Sequence, residues 1–293
     1  INFKELFKIT ELNDDTEKGE FISVLPNWIK CELDLNIDHL IYADFSASSI
    51  SGEVIYDNKK LKLFSEKLKM DALDGKINVS FDYFENKIHD LILKSNWEFT
   101  KIDIAKGFSS FNNFEQIFIT DKNIKGIGSA TMYLQSMWDK NYKFYSPSLN
   151  VNSNLKIENG ELIDFEPMYE LSDYVSLEEL KNVEFATLEN KIRIANEKII
   201  IPKMDINSSA MSVFISGTHS FDNMMDYKVR LLLSDVLSKK SKNKSNIDKE
   251  NYSINNSGKT TIQLNMEGHV DDPKVSLDKI KIKKDIFKEI KKE

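Results

Sequence analysis

The residues able to do chemistry are few and scattered. Four histidines stand at positions 39, 89, 219 and 269, and Cys31 is the single cysteine. One thiol cannot form an intramolecular disulfide, and with no further Cys or His at ligand spacing it does not read as structural zinc. His269 lies near Asp271 and Asp272, and His219 near Asp222, the donor types of an imidazole and carboxylate metal site. Aspartates beside Pro273 and Asn223 are also ordinary turn formers, and strand ends with turn aspartates are the expected reading. Gly126 and Gly128 in KGIGSA make a bare GxG without the third glycine of a dinucleotide fingerprint. A strand entry or bulge explains them better. No nucleophile elbow, phosphate loop or zinc-protease helix occurs, so the chain reads as a non-enzyme with no cofactor. A pair of carboxylates for glycoside hydrolysis is a matter of three-dimensional separation, but acids at alternate strand positions read as a solvated face.

The elements that carry these residues are mostly strands. Apolar residues alternate with polar ones at Leu33, Leu35 and Ile37, and at Ile77, Val79, Phe81 and Tyr83. The pattern returns at Leu155 and Ile157, Ile192 and Ile194, Met211, Val213 and Ile215, Tyr227 to Leu233, and Ile262 to Met266. Period-two alternation places one set of side chains on each face of a strand. Turn pairs fall between the runs at Asp57-Asn58, Asp74-Gly75, Glu85-Asn86, Asn159-Gly160, Asn196-Glu197 and Asp222-Asn223. The expected fold class is therefore mainly β: an elongated, twisted antiparallel sheet, a meander of hairpins, with two to four short helices.

Helical spacing is confined to three places. Phe108, Phe111, Phe114, Ile117 and Phe118 make an aromatic stripe suited to one short helix. Ser176 and Glu179 have capping-box spacing for a helix over 176–182, with Leu177 and Leu180 facing inward. Residues 283–292 place Ile286, Phe287 and Ile290 opposite lysines, a basic amphipathic helix or frayed tail. Residues 238–258 are rich in Lys, Ser and Asn and read as a mobile loop within one sheet. The resulting organisation is a lead-in over 1–32, a β domain over 33–280 and a basic tail over 281–293.

The chain has 293 residues, 40 Lys and Arg against 47 Asp and Glu, and a formal net charge of −7. That balance argues against nucleic acid as a partner, because phosphate neutralisation needs concentrated positive charge. No apolar run approaches the roughly 18 residues of a membrane-spanning helix. The chain opens on Ile1 without a signal sequence, so a targeting segment is expected outside it. The aromatic load of 18 Phe, 10 Tyr and 3 Trp remains to be explained. A sheet core accounts for much of it. A wide sheet with one apolar face and few helices also leaves apolar surface for another occupant, either a protein or acyl chains. Ile77, Val79, Phe81, Tyr227, Val229, Leu231 and Leu233 are the candidate lining residues of such a lipid groove, and core packing is the competing role of each.

The order of segments resembles the C-terminal region of the AsmA-like proteins, bacterial envelope proteins related to TamB, in their Bacteroidetes form. The resemblance is carried by NFEQIFITDKNIKGIGSATM (113–132), the stretch 148–222, DYKVRLLLSDVL (226–237) and MEGHVDDPKVSLD (266–278), and upstream by residues 41–81, so that it covers roughly residues 33–280. Its marks are Asn159-Gly160 as a turn, Pro167 leading a short helical segment, Ser208 to Met211 before Gly217, and Gly268 with Asp271, Asp272 and Pro273. The resemblance implies a periplasmic protein held at the inner membrane by an N-terminal segment absent from this chain. It also implies outer-membrane biogenesis and carriage of phospholipid or another acyl lipid along a β-sheet groove. It offers no catalytic residues. The alternative is a structural scaffold, or a binding module that docks an envelope protein without lipid cargo.

Overall fold

The computed structural model describes residues 28–58, 62–86, 90–115, 117, 119–139, 141–172, 176–209, 212–232, 253–254 and 260–277. Its architecture follows from the alternation. Fifteen strands join in one open antiparallel sheet whose strand order is almost the chain order. The first seven are β1 (Lys30–Tyr42), β2 (Phe45–Asp57), β3 (Lys62–Ala72), β4 (Gly75–Glu85), β5 (Leu91–Asp103), β6 (Ile124–Trp138) and β7 (Asn150–Ile163). β8 (Asn182–Asn190) and β9 (Arg193–Ala195) pair successive parts of β7 in one common register, so they act as a single interrupted strand. β10 (Lys198–Asn207), β11 (Ser212–Ser220), β12 (Met224–Leu232) and β14 (Thr260–His269) follow, and β13 (Ser253–Ile254) and β15 (Lys274–Leu277) share the outer edge of β14. At about 4.8 Å per strand the sheet measures roughly 60 Å across. β13 falls inside the stretch expected to be a mobile loop, so two residues of that stretch pair with the sheet.

Register keeps most apolar residues on one face, although Ile55 and Phe64, and Phe84, Ile92 and Met137, pair on the other. Met70, Ile77, Phe99, Ala130 and Leu155 lie opposite one another from β3 to β7, and Ile201, Gly217, Tyr227, Met266 and Val275 do so from β10 to β15. The other face carries the charges. There Lys62 bonds Asp82 at 2.5 Å and Lys125 bonds Glu161 at 3.3 Å. The few aromatics on that side sit beneath cations, with Lys62 4.6 Å from the Phe64 ring and Arg230 4.2 Å from the Phe214 ring.

Where the alternation slips, the backbone slips with it. Apolar positions step by three at Ala47 to Ile50, Phe99 to Ile102 and Ile157 to Gly160, and Ser49, Lys101 and Asn159 within those steps have φ of 52°, 54° and 52°. An extra residue in left-handed conformation makes a bulge and returns the next apolar side chain to the same face. Asn159-Gly160 is thus not the turn that its type suggested: it lies inside β7, opposite Phe185. Pro202 sits at another such slip, between Ile201 and Met204, where a missing ladder donor is tolerated. Gly52 faces the β3 slip between Ser65 and Leu68, with φ of 146°, and a Cβ there would come within 2.4 Å of the Lys67 carbonyl oxygen. True hairpin turns form at Leu73-Asp74 and Asn196-Glu197, whose four φ angles are all positive.

Among the described residues two short α-helices interrupt the meander. α1 (Ile104–Ser110) is capped by Asp103, whose carboxylate accepts from the Lys106 amide at 2.9 Å. It starts and ends earlier than the aromatic stripe suggested. Phe111 is its C-cap, and Phe114 lies beyond it in a left-handed turn with φ of 55°. α2 (Leu177–Lys181) forms at the expected place, but the Ser176 hydroxyl donates to the Glu179 carboxylate at 3.1 Å rather than capping a backbone N–H. Leu180 is fully buried, whereas Leu177, expected to face inward, is 51% exposed. A five-residue helix presents little more than one residue to the sheet. The expected tail helix at 283–292 lies outside the described residues.

Replacement of Leu180 by Ala should therefore destabilise the fold by about 2–5 kcal/mol in urea unfolding, while Leu177→Ala should change it by about 0.5 kcal/mol or less.

Candidate functional site

The meander sends its helix-bearing connections to one end. β5 reaches β6 through α1, and β7 reaches β8 through a 3-10 segment (Glu166–Leu171) and α2. Both crossings lie at the end where β1–β2 and β3–β4 turn. There the helices cover the apolar face. Ile104 of α1 lies over Gly128, where a Cβ would meet Ile104 Cδ1 at 2.3 Å. Leu180 of α2 packs in a cluster with Val183, Val213, Met225, Tyr227 and Val229. A second cluster gathers Ala47, Ile50, Ala72, Leu73 and Ile77.

The opposite end is roofed differently. Its described connections are tight turns, such as Asn196-Glu197, and the segment between β6 and β7, whose longest helical piece is the 3-10 turn Ser146–Ser148. The apolar face here presents Tyr56, Leu63, Tyr83 and Leu93, all partly buried and directly linked through the β2–β5 register. Trp138 meets Phe144 with ring centroids 5.6 Å apart. Tyr142, Phe144 and Tyr145 remain 75%, 42% and 55% exposed. Partial burial raises the Tyr83 phenol above its ordinary pKa, with Tyr142 adding to the shift. Small side chains punctuate this half: Ser65, Ser95 and Ser136 are buried among larger neighbours, and the Ser136 hydroxyl is buried without a hydrogen-bond partner.

The nominated lining residues all occupy the apolar face where they are described, but not its open half. Ile77 and Val79 are 2% and 6% exposed, and Tyr227 and Val229 are 4% and 6% exposed. These four pack as core beneath covered surface. Burial pushes the Tyr227 phenol up to about 12. Phe81 is partly buried and belongs to the middle of the sheet, opposite Ser65 and Ser95. Leu231 pairs with Val213 and Ile262 in the ladder, its side chain and all of Leu233 lying outside the described residues. Leu63, Leu93 and the Tyr142–Tyr145 segment carry no sequence signal that sets them apart as open surface. Leu63 and Leu93 stand in alternating runs like the others, so alternation alone does not separate open surface from core.

The polar chemistry stays dispersed. Among the described residues no group of three His, Cys, Asp or Glu side chains is placed to hold a metal. His269 ends β14 and its Nδ1 lies 3.2 Å from the Asp271 carboxylate, and His219 stands near the end of β11. Gly126, with φ of 141°, sits at a register slip between Lys125 and Ile127, a bulge rather than a phosphate loop. A cleft of about 610 Å³ opens between the β1–β2 and β3–β4 turns and α1, lined by His39, Asp71, Asp74, Lys76 and Lys106 among others. Its charges are of mixed sign, and Lys106 is tied to Asp74 at 2.6 Å. Cys31 is exposed on the outer strand.

Fold and site together define a class: a mainly β protein built on a single open antiparallel sheet with one continuous apolar face, roofed by helices at one end. In comparison with known proteins, the chain matches no protein-family model, no curated protein and no solved structure. The likeness to AsmA-like proteins accordingly rests on the segments quoted above.

His219 provides a test of this packing. It is 6% exposed, and burial lowers its pKa below the ordinary 6.5, against smaller raising effects from Asn223 and Asp222. Above pH 6.5 the ring is neutral folded and unfolded, so it adds no pH dependence. Below that value the unfolded chain takes the proton more readily, and stability falls as the pH drops. Urea unfolding at pH 7.5, 6.5 and 5.5 should show this loss, and His219→Gln should flatten the slope between 6.5 and 5.5.

Proposed function

We propose that this protein binds acyl lipid on the open half of its apolar face and serves in lipid carriage or envelope biogenesis without catalysis. The observation that carries the reading is the phase of the sheet. Register slips at Ala47–Ile50, Phe99–Ile102 and Ile157–Gly160 return apolar residues to one face, and over β2–β5 the described helices roof only one end of it. A core needs such a face to be covered, and the half left to Tyr56, Leu63, Tyr83 and Leu93 has no helix above it among the described residues. An acyl chain laid there gains about 0.8 kcal/mol per methylene removed from water, so ten methylenes amount to about 8 kcal/mol before ordering is subtracted. Such binding needs no polar recognition beyond the tyrosine hydroxyls and serines of that face. Phospholipid is the favoured cargo class, because its headgroup would remain in water beyond the sheet end while its tails lie along the strands.

Placement in the periplasm, and attachment to the inner membrane by a segment outside this chain, follow from the resemblance to AsmA-like proteins and share its standing. Among the described residues no helix is long and apolar enough to cross a membrane.

The test is organic extraction of the purified chain followed by lipid mass spectrometry, with binding of a fluorescent phospholipid as the quantitative arm. Stoichiometric acyl lipid is expected. Leu93→Asp and Leu63→Asp, which set a charge on the open half, should weaken phospholipid binding at least about tenfold with the circular dichroism spectrum kept. A lipid-free protein that also fails to bind added phospholipid would overturn the proposal.

A further inference from the structure

The second strand-forming surface of this molecule is an edge. β1 pairs with β2 along its whole length, from Lys30 opposite Asp57 to Tyr42 opposite Phe45, and among the described residues it has no neighbour on the other side. Among the described residues, the outward N–H and C=O groups of Cys31–Ile37 have no ladder partner. Sheet edges of this length are ordinarily blunted by proline, by an inward charge or by a covering element. β1 has no proline, and its inner face carries Leu33, Leu35 and Ile37, with Leu33 54% exposed. The apolar face of the sheet runs to the rim without interruption.

The outer face of β1 is acidic. Glu32, Asp34 and Asn36 alternate with the leucines, and Asp34 stands directly opposite Glu53 of β2. Like charges facing each other across a ladder repel. A strand added on the free side would relieve that repulsion if it carried cations on this face and branched apolar residues on the other. One segment of the chain outside the described residues has that pattern: Lys279, Ile280, Lys281, Ile282 and Lys283, within the sixteen residues that follow β15. With Lys281 opposite Asp34, Ile280 and Ile282 meet Leu33 and Leu35, and Lys279 and Lys283 meet Glu32 and Asn36. The match holds in either strand direction, because the pattern is symmetric about Lys281.

We infer that the free edge of β1 is a strand-addition interface for residues 279–283 of a second copy of this chain. By strand count at about 4.8 Å per strand, β15 and β1 stand at opposite rims of the sheet, some 60 Å apart. Joining that rim to the β1 edge of the next copy is a head-to-tail contact. Such a contact does not close on itself and grows into a row of copies unless the rotation per step makes a ring. The apolar faces of successive copies then form one longer face. The inference does not depend on lipid being the cargo, since it rests on backbone pairing and charge.

The experiment is sedimentation velocity on the full chain over a hundredfold range of concentration, at low and at high salt. Species growing stepwise with concentration are expected, weaker at high salt because exposed ion pairs are screened. Asp34→Lys and Lys281→Glu should each weaken association on the order of tenfold, and the doubly reversed chain should recover it. A synthetic peptide of residues 277–285 should cap the growth. Lys281→Glu leaves β1 unaltered, so it remains informative even if Asp34→Lys perturbs folding. A chain that stays monomeric throughout overturns the inference, as does association that ignores Lys281→Glu. Lipid binding by the monomer would leave the proposed function standing while this inference fails.

Discussion

Everything in this protein depends on one packing interaction: apolar side chains touching across neighbouring strands on a single face. A sheet of one layer has no second sheet to bury that face, so each residue there is shielded mainly by its cross-strand partners and by whatever lies above. A residue turned to the wrong face loses both. The bulges at Ser49, Lys101 and Asn159 are the structural answer. They spend backbone in the left-handed region, sparsely populated for residues with a Cβ, so that Ile50, Ile102 and Gly160 return to the apolar side.

The same constraint explains the distribution of small residues. Gly128 admits Ile104 of α1 to the sheet surface, Gly160 lies beneath the Phe185 ring, and Gly52 leaves space for the Lys67 carbonyl at the β3 slip. Each marks a place where another part of the chain must approach the backbone closely. Buried Ser65, Ser95 and Ser136 interleave with Tyr83, Phe81, Trp97 and Leu134 in the middle of the face, keeping it level between larger rings. Over β2–β5 the face has distinct halves, one sealed by α1 and the cluster around Ile77, the other lined by tyrosines and leucines that are only partly buried, whereas at β11 and β12 the same end is closed around Met225 and His219.

Much of this was legible in the residues. Alternation at 33–37, 77–83, 155–157, 213–215 and 227–231 placed strands where strands are found, and the acids at intervening positions do form the solvated face. The Leu73-Asp74 and Asn196-Glu197 turns lie at or beside pairs marked by turn chemistry. Other signals misled for local reasons. Asn159-Gly160 has hairpin composition, yet a left-handed Asn serves a bulge equally well, and only the pairing of β7 with β6 and β8 decides between them. The Phe108–Phe118 stripe has helical spacing, but α1 stops at Ser110, so Phe111 and Phe114 stack through a left-handed turn, their rings 5.8 Å apart. Leu177 and Leu180 are equivalent by spacing, and the shortness of α2 buries one and exposes the other.

The sequence by itself determined the material of the protein: an antiparallel meander with a few short helices, and a largely apolar face opposite a charged one. These are local properties, set by period-two patterning and by residue type. Tertiary structure alone decided which part of the apolar face is core and which is open. Ile77 and Leu93 stand in similar alternating runs on adjacent strands, and neither carries a mark of its cover. What separates them is their height along the strands relative to the end where α1 and α2 cross, a relation between residues far apart in the chain.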